Sequence, residues 1–157
     1  MKTKIFYPVL LLSFLIFFNC HRNNDEASQP TNITPVEIGK GALYGNGQEG
    51  IVRSNLVISN NFDWQNLMSQ MNSVNNVTDG FTETNIDFSQ YEIIAVFDSI
   101  YHNGGWSIDI ISIVENSSNI EVTISNENEG DITSITVQPY HIVKIPKSTK
   151  PVVFIQD

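Results

Sequence analysis

Two histidines, His102 and His141, are the side chains in the body of this chain best suited to move a proton near neutral pH. Hydrolytic chemistry of the Ser/His/Asp kind needs a histidine held between an acid and a nucleophile. No Gly-x-Ser-x-Gly elbow is present to carry that nucleophile. His102 stands beside Gly104-Gly105, in a segment that reads as an exposed loop. His141 lies inside an alternating strand pattern and faces opposite to Tyr140. Oxygen ligands recur in Asn126-Glu127-Asn128-Glu129-Gly130-Asp131, but the rest of a calcium loop, including its bidentate Glu, is missing. That run reads instead as an acidic hairpin turn between two strands. The expectation is no catalytic residue, no metal and no cofactor.

Gly104-Gly105-Trp106 points to binding rather than catalysis. Paired glycines can take positive φ and let another backbone come close. An aromatic just after them is a residue type that anchors interfaces. Trp106 also opens an apolar alternation, Trp106-Ile108-Ile110 against Ser107-Asp109, which favours core packing for it. The candidate partner-binding residues are therefore His102, Asn103, Gly104, Gly105 and Trp106, with the loop His102 to Gly105 making the contact and Trp106 left between core and interface.

The chain's single cysteine, Cys20, follows a basic start (Lys2, Lys4) and an apolar run from Ile5 to Phe18. That order is the pattern of a secretory signal. A cysteine at its end resembles the lipobox of a bacterial lipoprotein, with Phe17 and Asn19 at positions where Leu and a small residue are usual. The resemblance implies cleavage after residue 19, lipid on Cys20 and a place in the bacterial cell envelope, at the outer membrane, with the leaflet open. The apolar run is shorter than the ~20 residues a spanning helix needs. Asp25-Glu26 resembles the acidic export signals of surface lipoproteins of the Bacteroidetes, and a solubilising linker would look the same.

Removing residues 1–19 takes two of the eight Lys and Arg residues and none of the seventeen acids, so the mature charge is −11. Such a surface repels nucleic acid and anionic head groups. A lipidated Cys20 leaves the folded part without disulfides, so stability must come from an apolar core. Residues 20–35 read as a flexible polar tether and 36–157 as one globular domain.

Within that domain the glycines from Gly39 to Gly50 read as turns or an irregular edge strand, since no strand–loop–helix order surrounds them. Ile51 to Ile58 reads as a strand. Trp64, Leu67, Met68, Met71 and Val74 share one face of a helix over Asn61 to Val74, with Asn61 as its cap and a weak end from Asn72. Strands follow at Tyr91 to Asp98, Trp106 to Val114, Asn119 to Ser125, Ser134 to Ile145 and Val152 to Ile155. Ile93 to Phe97 is apolar without a break, so that strand should be covered on both faces, by the helix on one. The fold class is α+β, mainly antiparallel β: a small sheet or sandwich with one N-terminal amphipathic helix packed on it.

These pieces, in this order, resemble the family named for the PrcB subunit of a bacterial protease complex. The residues that carry it are the helix Phe62-Asp63-Trp64-Gln65-Asn66-Leu67, then Ile86-Asp87-Phe88 leading into Tyr91 to Phe97. Asn103-Gly104-Gly105-Trp106-Ser107-Ile108-Asp109-Ile110 follows, and Thr136 to Lys147 with Val152-Val153-Phe154 completes it. Trp106 stands where the family usually has Tyr, and Asp98-Ser99 where it often has a Gly-containing turn. The resemblance implies a non-enzymatic envelope lipoprotein that binds protein and associates with or stabilises a secreted protease. The alternative is a proteinase-inhibitor-like domain acting through His102–Gly105 and Asn126–Asp131, which requires those two loops to lie side by side.

Overall fold

The computed structural model describes residues 29–126 and 128–157. The expected signal segment, Cys20 and most of the expected tether lie outside the described residues, as does Glu127. Among the described residues eight strands form two four-stranded sheets. The central sheet has the order β2 (Val36–Leu43), β7 (Gln138–Pro146), β4 (Tyr91–Phe97), β3 (Ser54–Ile58). The outer sheet has the order β1 (Thr31–Asn32), β5 (Asp109–Glu115), β6 (Ile120–Ser125), β8 (Val152–Gln156). Pairing is antiparallel everywhere except between β6 and β8, which run parallel. The α+β, mainly antiparallel class is as the sequence predicts.

The layers follow from the side-chain alternation of β4 and β7. Ile93, Ala95 and Phe97, with Tyr140 and Ile142, pack under helix α1 (Asn61–Met71). Ile94 and Val96, with Val143 and Ile145, pack against Ile110, Ile113, Ile120, Val122 and Ile124 of the outer sheet. The central sheet is thus covered on both faces, which is why β4 carries no polar residue from Ile93 to Phe97. Trp64, Leu67, Met68 and Met71 are the buried face of α1, and the Trp64 indole N–H donates to the Thr84 carbonyl at 2.8 Å.

Several element expectations need correction. Asn60, not Asn61, caps the helix: its side-chain oxygen accepts from the Asp63 amide at 3.0 Å. Val74 lies past the helix end at Met71 and is exposed, because the polar run from Asn72 ends the helix first. The sheet begins at Thr31, not Val36: β1 pairs with β5, and the Ile33 amide donates to the Ile113 carbonyl. The last part of the expected tether therefore belongs to the fold. Gly39 and Gly41 lie in β2, an edge strand with a bulge between Glu37 and Gly39, as the irregular-edge reading has it.

Asn126–Asp131 is not a hairpin turn. β6 pairs with β5 and β8, and the next strand, β7, lies in the other sheet. The connection crosses between layers, and of its expected strand residues Val137 makes one bridge, to Tyr101.

Candidate functional site

The connection from β4 to β5 is built on Asp98, buried at the end of β4. Its carboxylate accepts the Tyr101 hydroxyl at 2.9 Å and the Asn126 side-chain amide, and the Arg53 guanidinium lies 3.4 Å away. Tyr101 is held further by its bridge to Val137, with bonds of 2.8 and 2.9 Å. One buried carboxylate therefore ties the start of the glycine loop to the start of the β6–β7 crossing.

Beyond that anchor the two segments are laced together. The Asp131 amide donates to the Gly104 carbonyl at 2.7 Å, and the Gly104 amide to the Thr133 carbonyl at 3.3 Å. The Asn103 side chain donates to the Asp131 carbonyl at 2.9 Å and accepts the Trp106 indole N–H at 3.0 Å. Asn128 donates to the Ser107 hydroxyl at 3.1 Å. Gly105 has φ +81°, and a Cβ there would meet the Asp131 amide nitrogen at 2.8 Å, so both conformation and space call for glycine. Asp131 accepts from the Thr133 hydroxyl and, less strongly, from its amide, which holds its carboxyl below the usual carboxylate range.

All five expected binding residues come together here, and with them the expected second loop. His102 is exposed, with Nδ1 3.4 Å from the Thr136 hydroxyl. Trp106 corrects the core expectation. It is half-buried and stacks on Tyr101, ring centroids 3.9 Å apart and planes 7° apart, outside both apolar clusters. The reason is Gly105: its left-handed turn delays β5 to Asp109, so Trp106 precedes the strand it was expected to open. Ile132 stands fully exposed on the paired segment, and Ile135 is exposed behind it.

A second polar group escaped the sequence reading. His141 is buried between the sheets, with Nδ1 2.7 Å from Asp109 Oδ1 and 3.0 Å from the Ile110 amide nitrogen. Lys40 Nζ lies 2.5 Å from Asp109 Oδ2, and Glu37 Oε2 lies 3.5 Å from His141 Nε2. Burial, more than any neighbour, pulls the His141 pKa down; the Lys40 charge helps, while Asp109 and Glu37 oppose it. The available signal was a lone histidine on the otherwise apolar face His141-Val143-Ile145, since a buried polar group demands a partner. The partner itself lies 32 positions earlier in the other sheet, which no spacing rule reveals. Two concavities of about 280 Å³ lie elsewhere, one between β3 and α1 and one beside β1 and β5, and neither is lined by His102 or His141.

Burial also raises the pKa of Glu92, against a backbone hydrogen bond from Ser148 and the charge of Lys147. Among the described residues no three His, Cys, Asp or Glu side chains are grouped to hold a metal ion, and no helix is long and apolar enough to cross a membrane. Comparison with protein-family models, with curated proteins and with solved structures finds no match to this chain.

Proposed function

We propose that this chain is a non-enzymatic, lipid-anchored protein of the bacterial cell envelope, held at the outer membrane through Cys20, that binds another protein. Its binding surface is the end of the sandwich where His102–Trp106 meets Asn128–Thr133. The resemblance to the PrcB family supplies the partner class, a secreted protease or its complex. The observation that carries the reading is the hydrogen-bonded pairing of these two segments around Gly104 and Asp131, with Ile132 exposed upon it. A loop surface fixed in advance loses little entropy on binding, and an exposed apolar side chain on such a surface is open to burial in a partner's pocket.

The test is capture of a secreted protease by the full chain from its own solubilised envelope. Ile132→Asp, at a fully exposed position, should abolish or weaken capture with the fold intact. Gly104→Val with Gly105→Val should do the same while circular dichroism still reports the sheets. Undiminished capture by a folded Ile132→Asp protein would refute the assignment.

The inhibitor reading shares one specific observation, since the two loops lie side by side. The distinction is in the captured protease. Retained activity marks an associated or stabilising subunit, and stoichiometric loss of activity marks an inhibitor.

A further inference from the structure

The edges of the two sheets are not equally guarded. β1 is two residues long. β2 is bulged, and Thr82 covers its outer side, its amide donating to the Ile38 carbonyl at 2.9 Å and its hydroxyl to the Glu37 carbonyl at 2.7 Å. β3 opens on the polar Ser54-Asn55, next to Arg53. β8 is the least guarded, with polar Gln156 and Asp157 only at its far end. It reads Val152-Val153-Phe154-Ile155-Gln156, without charge, proline or bulge, and among the described residues its only strand partner is β6. Val152 and Phe154 turn inward onto the core, while Val153 and Ile155 are exposed on the outer face. An uncharged edge that is apolar on both faces is a template for another strand.

We infer that β8 pairs antiparallel with β8 of a second copy of this chain, about a twofold axis at Phe154. The register follows from the hydrogen bonds already made. The Pro151 carbonyl accepts from Ile120 and the Asp157 amide donates to Ile124, so odd-numbered residues of β8 face β6. The amides and carbonyls of Val152, Phe154 and Gln156 therefore point to the open edge. In an antiparallel ladder such residues pair two by two. Phe154 then pairs with Phe154 of the second copy and Val152 with Gln156 of the second copy, using every open group on both strands. The residues between them fall into close, non-hydrogen-bonded pairs, Val153 with Ile155 of the second copy on the outer face. β-branched cross-strand pairs of this kind stabilise a sheet.

Charge permits the contact. Apart from Asp157 at the strand's end, the nearest acid on the outer face is Glu121, opposite Val153 on β6. Across the seam it is three strand spacings from its counterpart, about 14 Å, beyond a Debye length of about 8 Å at physiological salt. At each end the register carries Asp157 to Pro151 of the second copy, one residue from that copy's Lys150, whose Nζ also lies 2.9 Å from its own Glu115. A seam of five residues is small beside a standard interface, so the dimer is weak and concentration-dependent.

The experiment is sedimentation of the full chain in a non-ionic detergent, from ~1 μM to ~1 mM protein, the range of weak association. The wild type should shift from monomer to dimer across that range. Val153→Lys with Ile155→Lys sets like charges opposite each other and should leave a folded monomer. Val153→Glu with Ile155→Glu should do the same. An equimolar mixture of the two variants should recover a heterodimer, because the register sets each lysine against a glutamate. A wild type that stays monomeric throughout overturns the inference, including the case in which β8 takes a strand only from a different protein. A dimer that persists in the lysine variant also overturns it, since the seam would then lie elsewhere.

Discussion

His141 Nδ1 lies 2.7 Å from Asp109 Oδ1 and 3.0 Å from the Ile110 amide nitrogen, which donates to it. One nitrogen cannot serve both at full strength. An unprotonated Nδ1 accepts from Ile110 and faces the carboxylate lone pair to lone pair. A protonated Nδ1 donates to Asp109 and gives up the backbone bond. Whether Nδ1 carries the proton, in the neutral or in the charged ring, therefore selects which atom of β5 it holds.

Burial of the same ring makes stability depend on pH with a definite sign. Burial holds the folded His141 pKa below its ordinary value of about 6.5. Below about pH 6.5 the unfolded chain binds a proton that the folded chain resists, so stability falls as pH drops toward the folded pKa. Above that window both states are neutral and the effect is gone. Urea midpoints at about pH 8 and about pH 5.5 should show a steeper loss for the wild type than for His141→Gln. Glu92, whose pKa is raised, is common to both proteins and cancels from the comparison. Equal losses would remove His141 as the cause.

Leu67→Ala should cost about 2–5 kcal/mol, as large-to-small changes in a packed core do. Leu67 is buried between α1 and the central sheet. Val74, at the same helical spacing but past the helix end, should give less than about 0.5 kcal/mol when changed to Ala. Denaturant unfolding of the two variants separates the buried face from its apparent continuation.

Asn60→Ala should cost about 1 kcal/mol, because it leaves the Asp63 amide without its cap. Asn61→Ala, inside the first turn, should change stability by less than about 0.5 kcal/mol. The opposite order in thermal unfolding would return the cap to Asn61.

Asp98→Ala should act on both loops at once. The buried carboxylate holds Tyr101 and Asn126, and their unmet donors should cost about 1–3 kcal/mol. Hydrogen exchange should speed up at Asn103–Gly105 and at Asp131–Thr133 together. Faster exchange in only one of the two segments would show that they are held independently.

What the sequence made legible was local pattern. The unbroken run Ile93–Phe97 announced a strand covered on both faces, and Ile120-Val122-Ile124 announced one covered on a single face. Trp64, Leu67, Met68 and Met71 marked the helix face directly. What stayed hidden depends on pairings between distant segments. Thr31-Asn32 is polar and two residues long, and it is a strand because β5 offers it an edge. Asn126–Asp131 has the composition of a turn, and its destination in the other sheet leaves no local mark. At the candidate site the glycines and the loop were legible. Their hydrogen bonds to Asp131 and Thr133 and the common anchor at Asp98 were not, because they join segments some 30 residues apart.

The central place of β7 also fixes the order in which the molecule can assemble. Among the described residues β2 has no strand partner except β7, which begins at Gln138 and also binds β4. β2 must therefore wait for that partner until the chain has been made past Gln138. Closing so distant a pairing makes folding slow. A nascent or truncated chain that stops before Gln138 can form the β3–β4 and β5–β6 hairpins, but not a central sheet with two covered faces.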